Sequence, residues 1–197
     1  VYLALTNNNQ RGKEFPVNAA NPRVNNLMGH IVRWKPRGQD AANDRFDWEI
    51  FVLAGDPDNT DLNQKGNIQG DVYGSPDGLW FDQRGILWTQ TDISSGALGK
   101  GAYSRITNNM MFAADPVSRE FRRFLIGPNG CEVTGVDLTP DYKTMFVNIQ
   151  HPGESPSERS NPDKPKAFSD WPDRKLFSRP RSATIAIWRE DGKPVGS

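Results

Sequence analysis

Short runs of apolar and β-branched residues recur along the chain and are separated by turn-forming residues. No window shows the sustained 3.6-residue periodicity of a long amphipathic helix. Short runs bounded by Gly, Pro, Asn and Asp are typical of the strands of a sandwich, barrel or propeller. The pattern therefore predicts an all-β fold with strands over Val1–Thr6, Gly29–Trp34, Trp48–Leu53, Leu79–Asp82, Ile86–Thr91, Asn109–Ala114, Phe121–Ile126, Val133–Leu138, Thr144–Gln150 and Ala183–Arg189.

Two of the predicted hairpins are similar to each other. The stretches Gly78–Trp88 and Gly135–Phe146 each place a glycine before an apolar strand, then an acidic or Pro-Asp turn, then a second apolar strand. Repeated four-stranded units of this size are typical of β-propeller blades. The strands group into about two complete blades plus most of a third. The first blade lacks its innermost strand, because Val1–Thr6 is predicted to be its second strand.

So few blades cannot close a ring, and an open ring would expose apolar sheet faces. We therefore predict that residues 1–197 are the C-terminal segment of a longer β-propeller domain. The chain opens on the strand-like run at Val1 with no Met, which agrees with this prediction. We also expect the open edges to favour self-association of the 197 residues when they are taken alone.

Composition narrows the classes of function. The 24 Lys and Arg residues balance the 24 Asp and Glu residues. Nonspecific binding to nucleic acid or to an anionic membrane requires a basic excess, so neither partner is expected. No apolar run approaches the roughly 18 residues of a membrane-spanning helix. The single cysteine excludes an internal disulfide.

Two predicted inner strands begin beside a carboxylate. Asp77 precedes the first of them, and Glu132 follows Cys131 just before the second. Since inner strands of a propeller converge on its axis, both carboxylates are expected at one mouth of the channel, where they would suit Ca²⁺ or another hard cation. Asp77 is alternatively a turn residue that bonds its own backbone. Cys131 is either a soft ligand for iron or zinc or a small buried apolar residue, and we favour the second interpretation.

Other polar residues are interpreted mainly as structural. His30 is interpreted as backbone-bonded and His151 as a turn cap. The amides around Asn8 suit loop capping or hydrogen bonds to an oxyanion. Arg179 and Arg181 flank a proline and can bind phosphate bidentately, although we favour solvated or ion-paired arginines. The sequence has no P-loop, nucleophile elbow or self-contained zinc motif.

Eight short segments follow one another along the chain: Leu3–Asn8, Asn21–Arg23, Gly29–Ile31, Pro76–Asp82, Gly130–Gly135, Thr144–Glu154, Arg181–Thr184 and Asp191–Gly192. Taken together and in this order, they resemble the PhoX-type alkaline phosphatase family. The resemblance implies a periplasmic or secreted β-propeller that hydrolyses phosphate monoesters with bound Ca²⁺ and Fe³⁺. In this interpretation Asp77 and Glu132 are the metal ligands of this segment, and Asn8 is a further candidate.

Members of that family carry an Arg- and Glu-rich motif and further ligands upstream of the matching segment. We therefore expect the 197 residues alone to hold an incomplete metal cluster and to hydrolyse p-nitrophenyl phosphate at no better than background. Two alternatives stay open. The stretch Pro76–Trp88 also resembles Ca²⁺-dependent lactonases, which use a single metal, and a propeller can serve as a non-catalytic scaffold with a structural Ca²⁺.

Overall fold

The structure is a computed structural model that describes residues 1–154, 161–175 and 178–197. Apart from two short 3₁₀ turns, the regular elements of this part of the chain are all strands. No helix in it is long and apolar enough to cross a membrane. The elements are β1 (Tyr2–Leu5), β2 (His30–Pro36), a 3₁₀ turn (Arg37–Gln39), β3 (Phe46–Leu53), β4 (Gln69–Gly70), β5 (Pro76–Phe81), β6 (Leu87–Thr91), a 3₁₀ turn (Gly101–Tyr103), β7 (Met110–Ala114), β8 (Glu120–Ile126), β9 (Glu132–Leu138), β10 (Thr144–Gln150) and β11 (Ala183–Trp188).

The strands form three sheets in chain order. The first sheet has the order β1-β2-β3, the middle sheet β4-β8-β7-β6-β5 and the third sheet β11-β10-β9. Consecutive strands pair antiparallel in each sheet, as in propeller blades, and only the two-residue β4 pairs parallel, with β8. The predicted all-β, propeller-type fold is confirmed. The described residues contribute meanders of three, four and three strands to the three blades.

Both faces of the middle sheet are covered by a neighbouring sheet. Leu87 and Trp88 are adjacent on β6 and therefore point to opposite faces. Leu87 packs in the apolar cluster shared with the first sheet, and Trp88 packs in the cluster shared with the third. Phe112 and Met111 on β7 divide in the same way. Burial on both faces explains why all five residues of β6 are buried.

The connection between β10 and β11 is predicted from the sequence as a long exposed loop over Glu154–Arg179. Its described parts contain turns and no strand. Residues 155–160 and 176–177 of this loop lie outside the described residues.

A buried carboxylate organises the hairpin turn between β5 and β6. The Asp82 side chain is fully buried, and its Oδ1 accepts hydrogen bonds from the backbone N–H groups of Arg84 (2.9 Å) and Ile86 (3.1 Å). Its Oδ2 accepts from the Arg84 guanidinium (2.6 Å) and from the Trp88 indole N–H (3.2 Å). The Arg84 guanidinium carbon lies 4.6 Å from the ring centroid of Tyr142 in the corresponding turn of the third sheet. The paired charge therefore closes one hairpin and links two sheets.

The buried imidazole of His30 joins β2 to the loop that precedes it. Its Nε2 lies 2.7 Å from the carbonyl oxygen of Ala20 and donates to it, so Nδ1 accepts from Nδ2 of Asn26 at 3.1 Å. The orientation of the Asn26 amide is set because its Oδ1 accepts from the Gly29 N–H at 3.0 Å. Burial lowers the pKa of His30 below its usual 6.5, which keeps the ring neutral.

We expect acid to destabilise the protein through His30. Because the pKa of His30 is lower in the folded state than the 6.5 of the unfolded chain, the unfolded state takes up the proton first. The contribution of His30 to the free energy of unfolding is therefore fully present above about pH 6.5. It is lost as the pH falls toward the pKa of His30 in the folded state. Thermal unfolding of the full-length protein at about pH 7.5 and at about pH 5.5 checks this. Between these two pH values, the melting temperature of the His30→Gln variant should fall less than that of the wild type. A wild-type slope in the variant would contradict the assignment.

Candidate functional site

The edge strands β1, β5 and β9 of the three sheets are neighbours, and polar residues collect at one end of these edges. β1 contacts β5, and β5 contacts β9. Asp77 is the second residue of β5 and Glu132 is the first residue of β9. The two predicted carboxylates lie close enough for the charge of Asp77 to raise the pKa of Glu132. The structure therefore brings these two candidates together.

The exposed carboxylate of Asp77 follows a fixed segment of backbone. Ser75 is fully buried and adopts a positive φ of 50°. Its Oγ lies 2.7 Å from the hydroxyl of Tyr103 and accepts from Nδ2 of Asn7 at 3.3 Å. Oδ1 of Asp77 itself accepts from Oγ1 of Thr6 at 3.4 Å. The loop after β1 therefore helps to set the entry into β5.

A bulge in each inner strand brings a glycine under an amide side chain of the next strand. The pairing of β5 with β6 shifts around Gly78, and that of β9 with β10 shifts at Gly135. A Cβ at Gly78 would overlap Oε1 of Gln90, and a Cβ at Gly135 would lie 2.6 Å from Nδ2 of Asn148. Only glycine leaves room for the amide at both places. The two hairpins predicted to be similar therefore share a further feature. The second strand of each carries an amide side chain, Gln90 or Asn148, over the glycine of the first strand.

Glu132 is oriented by the end of β10. Nε2 of Gln150 donates to Oε2 of Glu132 at 2.8 Å. Nε2 of His151 lies 3.5 Å from the same oxygen. Burial raises the pKa of the Glu132 carboxyl, and the negative charges of Asp92 and Asp77 raise it further. A carboxylate of this kind gains stability from a nearby cation.

Asp92 belongs to the same cluster and is absent from the candidates predicted from the sequence. It follows β6 directly, and its backbone N–H donates to the carbonyl oxygen of Ser75 at 3.1 Å. Burial and the charge of Asp77 raise the pKa of its carboxyl. A signal was present in the sequence, because the second strand of an antiparallel hairpin ends where the first begins. Polar residues directly after β6 and β10 are therefore expected beside Asp77 and Glu132.

The buried amide of Asn109 links the backbones on either side of this cluster. Its Oδ1 accepts from the N–H of Ile93 (2.7 Å) and from Oγ1 of Thr91 (3.0 Å). Its Nδ2 donates to the carbonyl oxygens of Ile93 and Cys131, both at 2.9 Å. Ile93 directly follows Asp92, and Cys131 directly precedes Glu132. Asn109 therefore spans the middle and third sheets behind the two carboxylates.

Other predicted residues are placed differently. Oδ1 of Asn8 accepts from the N–H of Gln10 at 2.9 Å, which closes a turn in its own loop. Cys131 is fully buried in the cluster between the middle and third sheets, and burial raises the pKa of its thiol to about 12. The thiol therefore stays protonated, as expected of a small apolar residue. Arg181 forms a two-pronged ion pair with Asp173, with distances of 3.1 Å and 3.0 Å.

Within the described parts of the chain, no three His, Cys, Asp or Glu side chains are grouped closely enough to hold a metal ion. The cluster is instead a partial set of hard oxygen donors whose charges repel one another. Asp77, Asp92 and Glu132 come from three places in two neighbouring sheets. Such a set can complete the coordination of a hard cation that has further ligands elsewhere.

Comparison with known proteins identifies the group to which this arrangement belongs. The sequence profile described as alkaline phosphatase PhoX matches residues 1–153. The chain belongs to the PhoX alkaline phosphatase family. The family resemblance read from the ordered phrases is therefore confirmed. Among curated proteins none matches the chain.

A solved structure supports both the family and the fold. It is described as Pseudomonas fluorescens PhoX in complex with vanadate, a transition state analogue. The similarity covers 99% of this chain at 41% sequence identity, with a TM-score of 0.83. The chain spans 32% of the length of that PhoX chain.

Proposed function

We propose that the full-length protein is an alkaline phosphatase that hydrolyses phosphate monoesters with Ca²⁺ and Fe³⁺ bound where Asp77 and Glu132 lie. The observation that carries the proposal is the similarity to a PhoX protein in complex with vanadate, a transition state analogue. A phosphate-like ligand of that kind is expected of an enzyme that acts on phosphoryl groups.

The donor set of this chain fits part of such a metal centre. The carboxylates of Asp77, Asp92 and Glu132 are oxygen donors of the type that Ca²⁺ prefers. Burial raises the pKa values of Asp92 and Glu132, and repulsion between the carboxylates raises them further. A bound cation would relieve that repulsion. Asn8 remains a further proposed donor, although its Oδ1 accepts the Gln10 N–H in this structure. We propose that the remaining ligands come from outside the 197 residues.

The residues of this chain would hold and orient the donors. When bound, the metal ions would polarise the phosphoryl group and offset the negative charge that develops during hydrolysis. Gln150 donates to Glu132 and limits the rotation of its carboxylate. Thr6 donates to Asp77 from the first sheet. Asn109 holds the segments that carry Asp92 and Glu132 at a constant spacing.

We also propose that residues 1–197 are the C-terminal segment of one propeller domain and are inactive when isolated. The similarity to a PhoX chain about three times as long supports this, since this segment spans 32% of it. A periplasmic or secreted location is proposed from the family resemblance. Fractionation of cells that express the full-length gene tests the location, and a cytoplasmic protein would contradict it.

The experiment that tests the function is a combined metal and activity measurement on the purified full-length protein. We expect Ca²⁺ and iron by elemental analysis, and hydrolysis of p-nitrophenyl phosphate at alkaline pH. A calcium chelator should abolish the turnover, and added Ca²⁺ should restore it. A protein with one metal that hydrolyses lactones and not phosphate esters would instead establish the lactonase alternative. A protein that binds Ca²⁺ and turns over neither substrate would establish the scaffold alternative.

A further inference from the structure

A pocket of about 360 Å³ opens beside the carboxylate cluster. It lies between the turn after β10 and the segment that leads into β11. Four of the described prolines form much of its wall, and the polar lining consists of His151, Glu154, Asn161 and Arg179. Rigid apolar walls with a few polar groups are typical of sites for small organic groups.

His151 connects this pocket with the proposed phosphate site. His151 lines the pocket, and its Nε2 lies 3.5 Å from Oε2 of Glu132. Its backbone has a positive φ of 38°, which is strained for a residue with a side chain. Because His151 borders both, the pocket adjoins the proposed phosphate site at this residue.

The segment that carries Arg179 is held against the turn after β10. The ring of Pro180 packs against Gly153. Oγ of Ser182 accepts from the backbone N–H of His151 at 3.0 Å. These contacts come directly after Arg179 in the chain, so its position beside the pocket is set by the fold.

The two arginines that flank Pro180 have different environments. Arg181 is paired with Asp173, whereas none of the ion pairs among the described residues includes Arg179. Glu154 is the one acidic residue among the described residues that line the pocket. Its carboxylate lies 3.9 Å from Nδ1 of His151 and raises the pKa of Asp92. Among the described residues, no carboxylate is therefore paired with Arg179 where it lines the pocket.

We propose that this pocket binds the alcohol part of the substrate and that Arg179 selects phosphate monoesters whose alcohol carries a second anionic group, such as a carboxylate. The proposal rests on the proposed phosphatase function and adds a substrate class to it. An arginine recognises a carboxylate with two parallel hydrogen bonds, and the proline wall accommodates the carbon skeleton.

The test compares phenyl phosphate with 4-carboxyphenyl phosphate in the full-length protein with its metals bound. The quantity measured is the ratio of kcat/KM for the carboxylated ester to kcat/KM for phenyl phosphate. We expect Arg179→Gln to lower this ratio about two- to fivefold, the effect of losing one exposed charge pair. Arg179→Lys should recover part of the ratio, because it keeps the charge and loses the bidentate geometry. Arg45→Gln, which removes an exposed arginine just before β3, is the matched control and should keep the wild-type ratio.

The outcomes separate the two proposals. If the wild type hydrolyses phenyl phosphate and the ratio in Arg179→Gln equals that in Arg45→Gln, the pocket does not select anionic alcohols and the phosphatase function stands. If neither ester is hydrolysed, the proposed function is wrong and the pocket proposal falls with it. Inhibition constants for phenylphosphonate and 4-carboxyphenylphosphonate give a binding measurement without turnover. The preference for the carboxylated inhibitor should fall by the same factor in Arg179→Gln, and an unchanged preference would overturn the proposal.

Discussion

Replacing Glu132 with glutamine in the full-length protein is expected to lower kcat/KM for p-nitrophenyl phosphate by at least about 100-fold. Glutamine keeps the length of the side chain and can still accept the hydrogen bond from Gln150. The substitution removes a negative charge that faces Asp77 and Asp92. If that charge holds a metal ion, its loss weakens the metal centre and leaves the surrounding fold intact. Steady-state kinetics and elemental analysis of the variant measure both effects.

The control for this variant lies on the same strand. Asp137 is exposed, and its Oδ1 accepts the N–H of Leu138, so Asp137→Asn removes one carboxylate away from the cluster. We expect Asp137→Asn to stay within about twofold of the wild-type kcat/KM. In the metal-free protein Glu132→Gln should not lower the melting temperature, because it relieves charge repulsion. Full activity in Glu132→Gln would exclude Glu132 as a metal ligand.

The Asn109→Ala substitution is expected to have the largest effect on stability, about 3–4 kcal/mol of the free energy of unfolding. The side chain is 1% exposed and forms four hydrogen bonds, three of them to backbone groups of Ile93 and Cys131. Alanine would leave buried backbone groups without partners. Denaturant unfolding of the full-length protein measures the loss.

A neighbouring amide gives the comparison for Asn109. Asn108 is half-buried, and only one of its hydrogen bonds is to a backbone group, the carbonyl oxygen of Gly127 at 2.9 Å from Nδ2. Its Nδ2 also donates to Oδ1 of Asn129 at 3.2 Å, and its Oδ1 accepts from Oγ1 of Thr107 at 3.0 Å. Asn108→Ala should therefore cost only about 1 kcal/mol. Since Asn109 spaces the segments of Asp92 and Glu132, we also expect Asn109→Ala to need more Ca²⁺ for half-maximal activity. Equal losses of stability in the two variants would show that the links to Ile93 and Cys131 have no special weight.

The strands were predictable because each is a short apolar run between turn residues, and the repeat of the two hairpins was sufficient to predict blades. The placement of Asp77 and Glu132 followed from where inner strands begin. Asp92 and Asn109 were harder to find, since each is a single polar residue after or before a strand. Their roles depend on pairing between segments that are distant in sequence, such as the bond from Asn109 to Cys131.

The two arginines near the end of the chain show a further limit. In the sequence Arg179 and Arg181 are equivalent, because both flank the same proline. Only the folded chain places Asp173 beside one of them and the pocket beside the other. Long-range contacts of this kind leave no local pattern in the sequence, whereas strand periodicity does.

The paired bulges at Gly78 and Gly135 have a consequence for how these hairpins tolerate change. The hairpin from Gly135 to Asn148 is one residue longer than the hairpin from Gly78 to Gln90, yet in both the amide still lies over the glycine. The extra residue lies in the turn that joins the two strands, and the strand pairing at the end near the carboxylates keeps its register. A change of length at these turns therefore leaves the strand register beside the carboxylates unchanged, and the limit on such changes is set by the buried Asp82 and by the contact of Arg84 with Tyr142.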